Sequence, residues 1–133
     1  MAGDQPTVLV ADDISMMGEL LRTILRRAGC EVVASATNGD DAVRAFHRHR
    51  PDLVFMDINM PGKSGLEALQ EIMGNDADAF VVLVSVESSV SFVQEAMDLG
   101  AKGFLVKPVS ARKVESLVQR FRQASPPGVP NLP

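Results

Sequence analysis

The sequence predicts a doubly wound α/β protein: a five-stranded parallel sheet with five helices covering both faces. Three observations predict it. Five short runs rich in β-branched residues alternate with five amphipathic stretches. Strict βα repetition of this kind leads into a parallel sheet through right-handed helical crossovers. Three of the runs are almost continuously apolar rather than alternating, as strands are when both faces of the sheet are covered. The chain has 133 residues, 46% of them hydrophobic, which is the size of one domain with enough apolar side chain for a full core.

The elements follow in order. Thr7–Ala11 (TVLVA) leads to a stripe of Ile14, Met17, Leu21, Ile24, Leu25 and Ala28, which keeps a 3.6-residue period and stops at Gly29. Glu31–Ala36 (EVVASA) precedes a shorter stripe of Ala42, Val43 and Phe46. Asp52–Met56 (DLVFM) precedes Leu66, Leu69, Ile72 and Met73, closed by Gly74. Phe80–Val84 (FVVLV) precedes Val90, Val93, Ala96 and Met97, before Gly100. Gly103–Val106 (GFLV) precedes Val114, Leu117, Val118 and Phe121. The last nine residues (SPPGVPNLP) hold four of the eight prolines and cannot continue a helix. The expected division is a flexible N-terminus over residues 1–6, one domain over 7–124 and a mobile Pro-rich tail over 125–133.

Composition removes several classes of function. Cys30 is the only cysteine, so no internal disulfide forms and a cytoplasmic location is expected. The polar start, MAGDQPT, has no apolar core of a signal peptide, and no apolar run approaches the roughly 20 residues needed to span a bilayer. A net charge of −4 and the lack of Trp and Tyr argue against nucleic acid as a direct partner, and no membrane partner is expected. Met16, Met17, Met56 and Met60 read as packing residues. His47 and His49, beside Arg48 and Arg50, suit the negative end of the second helix.

Chemistry gathers at the strand ends. In an open α/β sheet, ligands collect beyond the carboxyl ends of the strands. Asp12 and Asp13 follow the first run, and Asp57, Ile58, Asn59, Met60, Pro61 and Gly62 follow the third. Ser85 follows the fourth, and Lys107 and Pro108 follow the fifth. The second end, Thr37-Asn38-Gly39, supplies no such group. Each residue has an ordinary role available: Asp12 or Asp13 as a helix cap, Asp57 in a turn, Lys107 and Ser85 as surface groups. Stability does not account for all of them on one rim. Clustered carboxylates without a partner keep a proton or capture a cation. A few hard oxygens, with no His or Cys, suit Mg²⁺, which also takes phosphate oxygens. A carboxylate beside that ion can act as the nucleophile in phosphoryl transfer, with Lys107 and Ser85 supplying a cation and a donor to the phosphoryl oxygens.

The ordered set Asp12-Asp13, MDINMPGKSG (Met56–Gly65), Ser85 and KGFLVKP (Lys102–Pro108) resembles the receiver domains of bacterial two-component response regulators, most closely the stand-alone chemotaxis type. The likeness spans roughly residues 7–123. It implies a flavodoxin-like fold with strand order 2-1-3-4-5. It also implies that Asp57 is the phosphoacceptor and that Asp13, Asp57 and the backbone carbonyl of Asn59 hold Mg²⁺, with Asp12 acting mainly through a metal-bound water. Lys107 and Ser85 would each bind a phosphoryl oxygen. Phe104 would turn inward as Ser85 follows the phosphate, and the Lys107–Pro108 bond would be cis. The implied partners are a histidine kinase and a downstream protein that binds the face of the fourth helix, fifth strand and fifth helix. Asn59 and Glu87 match residue types of the motor-binding chemotaxis protein. Ser89 and Val90 stand where that relative carries lysines, which leaves a phosphorelay intermediate, or the N-terminal receiver of a longer regulator, as alternatives. An aspartate-nucleophile phosphatase needs a carboxylate two residues after its nucleophile, and here that residue is Asn59.

Overall fold

The computed structural model describes residues 5–124. The elements run β1 (Thr7–Ala11), α1 (Ser15–Arg27), β2 (Glu31–Ala36), α2 (Gly39–His49), β3 (Leu53–Asp57), α3 (Gly65–Asn75), β4 (Phe80–Ser85), α4 (Val90–Asp98), β5 (Gly103–Val106) and α5 (Ala111–Ala124). All strand pairs are parallel, in the order β2-β1-β3-β4-β5. The expected fold and strand order are therefore present. The expected tail over 125–133 and the first four residues lie outside the described residues.

Alternation along the strands sorts their side chains into two cores. Val8, Val10, Phe55, Val82 and Leu105 meet Leu21, Leu25, Val114 and Leu117 of α1 and α5. Leu9, Val54, Met56, Val81 and Leu83 meet Phe46, Leu69, Ile72 and Ala96 of α2, α3 and α4. β3 lies at the centre and is buried at every position, which explains its unbroken apolar run. Asp52 precedes β3 rather than opening it. Its side chain accepts from the Thr7 amide (2.9 Å) and its own amide donates to Thr7 Oγ1 (3.0 Å), locking the starts of β1 and β3 together.

Several expectations change in detail. Asp57 and Ser85 are the last residues of their strands, because the ladders continue through Asp57 to Val84 and Ser85 to Val106. Neither Asp12 nor Asp13 caps α1. The cap position is Ile14, which has no side-chain cap bond, and Asp12 Oδ1 instead accepts from the Ile14 amide. Gly74 lies inside α3, which runs on to Asn75. Met16 is 81% exposed and is not a packing residue, because it sits on the outer face of the first turn of α1. Met56 and Met60 are buried as expected, and Met17 packs partly against the α1–α5 core. Ile14, Val90 and Met97 belong to the helical stripes but remain exposed, and only Ala96 of α4 is buried.

Candidate functional site

The parallel ladder places the ends of β1, β3, β4 and β5 along one rim, and with them the groups expected there. Asp12 follows β1 and is fixed twice: its amide donates to Ala36 O (3.0 Å) and its Oδ1 accepts from Ile14 (2.9 Å). Asp57 ends β3, and its side chain is 2% exposed. Carboxylate oxygens of Asp12, Asp13 and Asp57 come within 4.8 Å of one another. Asp13 is the exposed member.

Lys107 reaches into this cluster from the end of β5. Its Nζ lies 3.2 Å from Asp57 Oδ2 and 3.8 Å from Asp12 Oδ2, with the side chain 12% exposed. Its amide donates to Ser85 O (2.8 Å), which ties the β5 end to the β4 end. The Lys107–Pro108 bond is cis.

Among the described residues one cation, Lys107, faces three carboxylates, so the cluster is under-compensated. Asp12 shows the consequence. Burial pushes its carboxyl above the usual carboxylate range, and the charge of Asp57 adds to the rise, while the Ile14 amide and Lys107 oppose it. Its Oδ2 is buried with no hydrogen-bond partner among the described residues. An orphaned acceptor beside two further carboxylates is the donor set that a hard divalent cation such as Mg²⁺ takes. The residues present therefore fit that ion.

The remaining groups lie around Asp57. Ser85 is buried, and its Oγ accepts from the Glu87 amide (2.9 Å). The Asn59 amide points at Asp57 Oδ1 over a long 3.4 Å. Ser85, Asn59 and Glu87 border a cleft of about 490 Å³ between the β3–α3 loop and the start of α4, with Phe92 on its far wall. Phe104 is half-buried on β5, and its ring meets Phe92 of α4 edge-on, at 6.0 Å between centroids. His47 and His49 lie on the last turn of α2, away from this rim.

Residues that the sequence reading passed over build the loop after Asp57. Ser64 accepts from the Glu67 amide and Glu67 reaches back to the Ser64 amide, a capping box that starts α3. The Ser-x-x-Glu spacing was the available signal. At Gly65 a Cβ would stand 2.3 Å from Asp57 O and 2.7 Å from Ile58 Cα. Only glycine lets α3 begin this close to the phosphoacceptor candidate.

Comparison with known proteins agrees with this geometry. The family profile described as the response regulator receiver domain matches residues 8–119. The chemotaxis protein CheY of Bacillus subtilis (strain 168) is 42% identical over 113 residues, which is 85% of this chain and 94% of that protein. The transcriptional regulatory protein PdtaR of Mycobacterium tuberculosis (strain H37Rv) is 38% identical over 120 residues, covering 87% of this chain and 58% of that one. Among solved structures, the CheX–CheY–BeF3–Mg²⁺ complex from Borrelia burgdorferi is similar with a TM-score of 0.81 and 32% identity, covering 89% of this chain and 87% of that one. Among the described residues no helix is long and apolar enough to cross a membrane. With the fold, the acidic rim and these likenesses in agreement, the chain belongs to the response regulator receiver domain family.

Proposed function

We propose that this chain is a phosphorylation-activated signalling switch. It takes a phosphoryl group from a histidine kinase onto Asp57, with Mg²⁺, and alters the α4–β5–α5 face for a partner protein in chemotaxis or a related two-component pathway. The observation that carries this reading is the Asp57 carboxylate. It is almost fully buried, 3.2 Å from the Lys107 ammonium, and clustered with Asp12 and Asp13. The likeness to CheY of Bacillus subtilis, and to the Borrelia burgdorferi complex of CheX and CheY with BeF3 and Mg²⁺, supports it.

Mg²⁺ would be held by Asp12, Asp13, Asp57 and the Asn59 carbonyl, and when bound it supplies positive charge to phosphoryl oxygens. The chain's own groups do the rest. A lone pair of an Asp57 carboxylate oxygen forms the new O–P bond. The P–N bond of the donor phosphohistidine breaks, and its electrons leave with the imidazole, which takes a proton from solvent. Lys107 neutralises charge on a phosphoryl oxygen, and the Ser85 hydroxyl, an acceptor toward Glu87, still has its own proton to donate to another. The protein assists its own phosphorylation and hydrolysis without being an enzyme that acts on a separate substrate. A second reading, the receiver of a longer regulator, is supported by the likeness to PdtaR, only 58% of which is matched.

Incubation with acetyl phosphate and Mg²⁺, followed by hydroxylamine trapping and mass spectrometry, tests the reading. One phosphoryl group on Asp57, absent in Asp57→Asn, is expected. A label on another residue, or undiminished labelling of Asp57→Asn, overturns it.

A further inference from the structure

We infer that Gly39 and Asp40, at the start of α2, are positioning residues for the loop between Asp57 and α3, acting through Lys63. The inference rests on the function proposed above, because that loop carries Asn59. The second strand end, which supplies no reactive group of its own, thereby becomes part of the site's frame.

The contact is backbone against backbone. A Cβ at Gly39 would stand 2.0 Å from Lys63 O, 2.7 Å from Lys63 C and 2.8 Å from Lys63 Cβ. Gly39 is absent from the residues with positive φ, so space alone demands glycine there, and no rotamer change relieves the clash. The Lys63 side chain then turns back over the contact. Its Nζ lies 3.5 Å from Asp40 Oδ1 and pairs with Glu71 of α3. Gly62, with φ of 70°, carries the chain past Asp40. The N-terminus of α2 thus grips the loop near its C-terminal end and ties it to α3.

The two ends of the loop are fixed as well. Asp57 is held in the β3–β4 ladder, and Ile58 donates to Val84 O (3.0 Å) while accepting from Gly65 (2.8 Å). Ser64 is held by its capping box. Pushing the Lys63 carbonyl out from 2.0 Å to an ordinary contact of 3.4 Å moves it by more than 1 Å, and with Ile58 and Ser64 held, residues 59–63 are the part of the loop left to absorb the shift. Asn59 is among them. A displacement of about 1 Å at a group that orients a reaction can cost about a hundredfold in rate.

The test measures the Mg²⁺ dissociation constant by titration calorimetry and the labelling rate with acetyl phosphate, beside the melting temperature, in the full chain. Gly39→Ala is expected to weaken Mg²⁺ at least fivefold and to slow labelling tenfold or more, with the label still on Asp57. Asp40→Asn, which keeps size and removes the charge facing Lys63, is expected to weaken Mg²⁺ two- to threefold and provides the readout if Gly39→Ala does not fold. Val43→Ala, in the buried face of the same helix, is expected to lower the melting temperature while leaving both quantities unchanged. Wild-type Mg²⁺ affinity and labelling in a folded Gly39→Ala overturns the inference. So does an unchanged Mg²⁺ affinity in Asp40→Asn, or an equal loss in Val43→Ala. Failure of the wild-type chain to label at all instead refutes the proposed function.

Discussion

The Lys107 ammonium sits 3.2 Å from Asp57 Oδ2 although β4 lies between the strands that carry the two residues. The lysine stem crosses the end of β4, where Ser85 stands, and the Lys107 amide is bonded to the Ser85 carbonyl. On the proposed function, a group added to Asp57 would meet Lys107 and Ser85 together. A phosphoryl group brings roughly two negative charges and three acceptor oxygens, enough to draw on both side chains at once.

Replacement of Lys107 separates its electrostatic role from its signalling role. Lys107→Ala leaves Asp12 and Asp57 buried without their cation. Breaking a buried pair by removing one partner costs about 3–5 kcal/mol, and the lysine's partial exposure (12%) places this case toward or below the low end. The metal-free melting temperature should fall, and the rise on adding Mg²⁺ should exceed that of the wild type. Asp57 should still take label, but the change should not reach the α4–β5–α5 face. Melting with and without Mg²⁺, with amide exchange on the labelled variant, checks this. Normal labelling together with a normal exchange response on α4 removes Lys107 from the switch.

Asp12 sets a pH dependence in the metal-free protein. Burial raises its folded-state pKa above the unfolded value. Between the ordinary carboxylate value and the raised one, the folded state binds more protons than the unfolded state. Stability from this group therefore falls as pH rises through that window and is lowest above it. Asp12→Asn removes the buried charge and its repulsion with Asp57, so it should raise the melting temperature of the metal-free protein at neutral pH. It should also flatten the pH profile and weaken Mg²⁺. Thermal melts from pH 4 to 8 without metal decide the point, and a wild-type profile in Asp12→Asn contradicts it.

The close start of α3 makes Gly65 intolerant of a side chain. A Cβ 2.3 Å from Asp57 O forces either the helix or the strand end to move. Gly65→Ala should destabilise by about 1–3 kcal/mol, as overpacking does, and should slow acetyl phosphate labelling out of proportion to that loss. Labelling at the wild-type rate in the folded variant argues that the Asp57 backbone is free to shift.

Much of this was legible in the sequence, for identifiable physical reasons. The buried strands of a parallel sheet write long apolar runs, and Gly29 and Gly100, both with positive φ, mark the chain just past α1 and α4. The rim residues Asp12, Asp13, Asp57, Ser85 and Lys107 were legible because topology alone sends strand ends to one edge. Periodicity failed where a helix is thinly packed. Val90 and Met97 fit the α4 stripe, yet Val90 is 84% exposed, because a stripe records which face is apolar and not whether anything covers it. Met16 misled for a similar reason, since residue type does not fix which side of a first turn faces out. The glycines at 39 and 65 were invisible because their role depends on backbone from a different segment.

The thin packing of α4 leads to the last prediction. With Ala96 as its one buried residue, α4 is held by few apolar contacts, and elements of that kind are the ones that shift at small free-energy cost. Ser85 begins the connection to α4, and its hydroxyl now accepts from the Glu87 amide in that connection. If Ser85 turns to donate to a phosphoryl oxygen, the Glu87 amide loses its partner and the start of α4 is released. Phe104 packs edge-on against Phe92 of α4, so a displacement of the helix opens room for the ring to follow. Beryllofluoride with Mg²⁺ should therefore change amide exchange and chemical shifts across residues 86–106 and into α5, with the Glu87 amide among the largest changes. Ser85→Ala should bind the same ligand at Asp57 while the response beyond residue 88 shrinks by more than half. Phe104→Leu should keep the Glu87 response and lose the one on β5. Shifts confined to residues 57–64 in the wild type, with α4 and β5 silent, exclude this route from Asp57 to the output face.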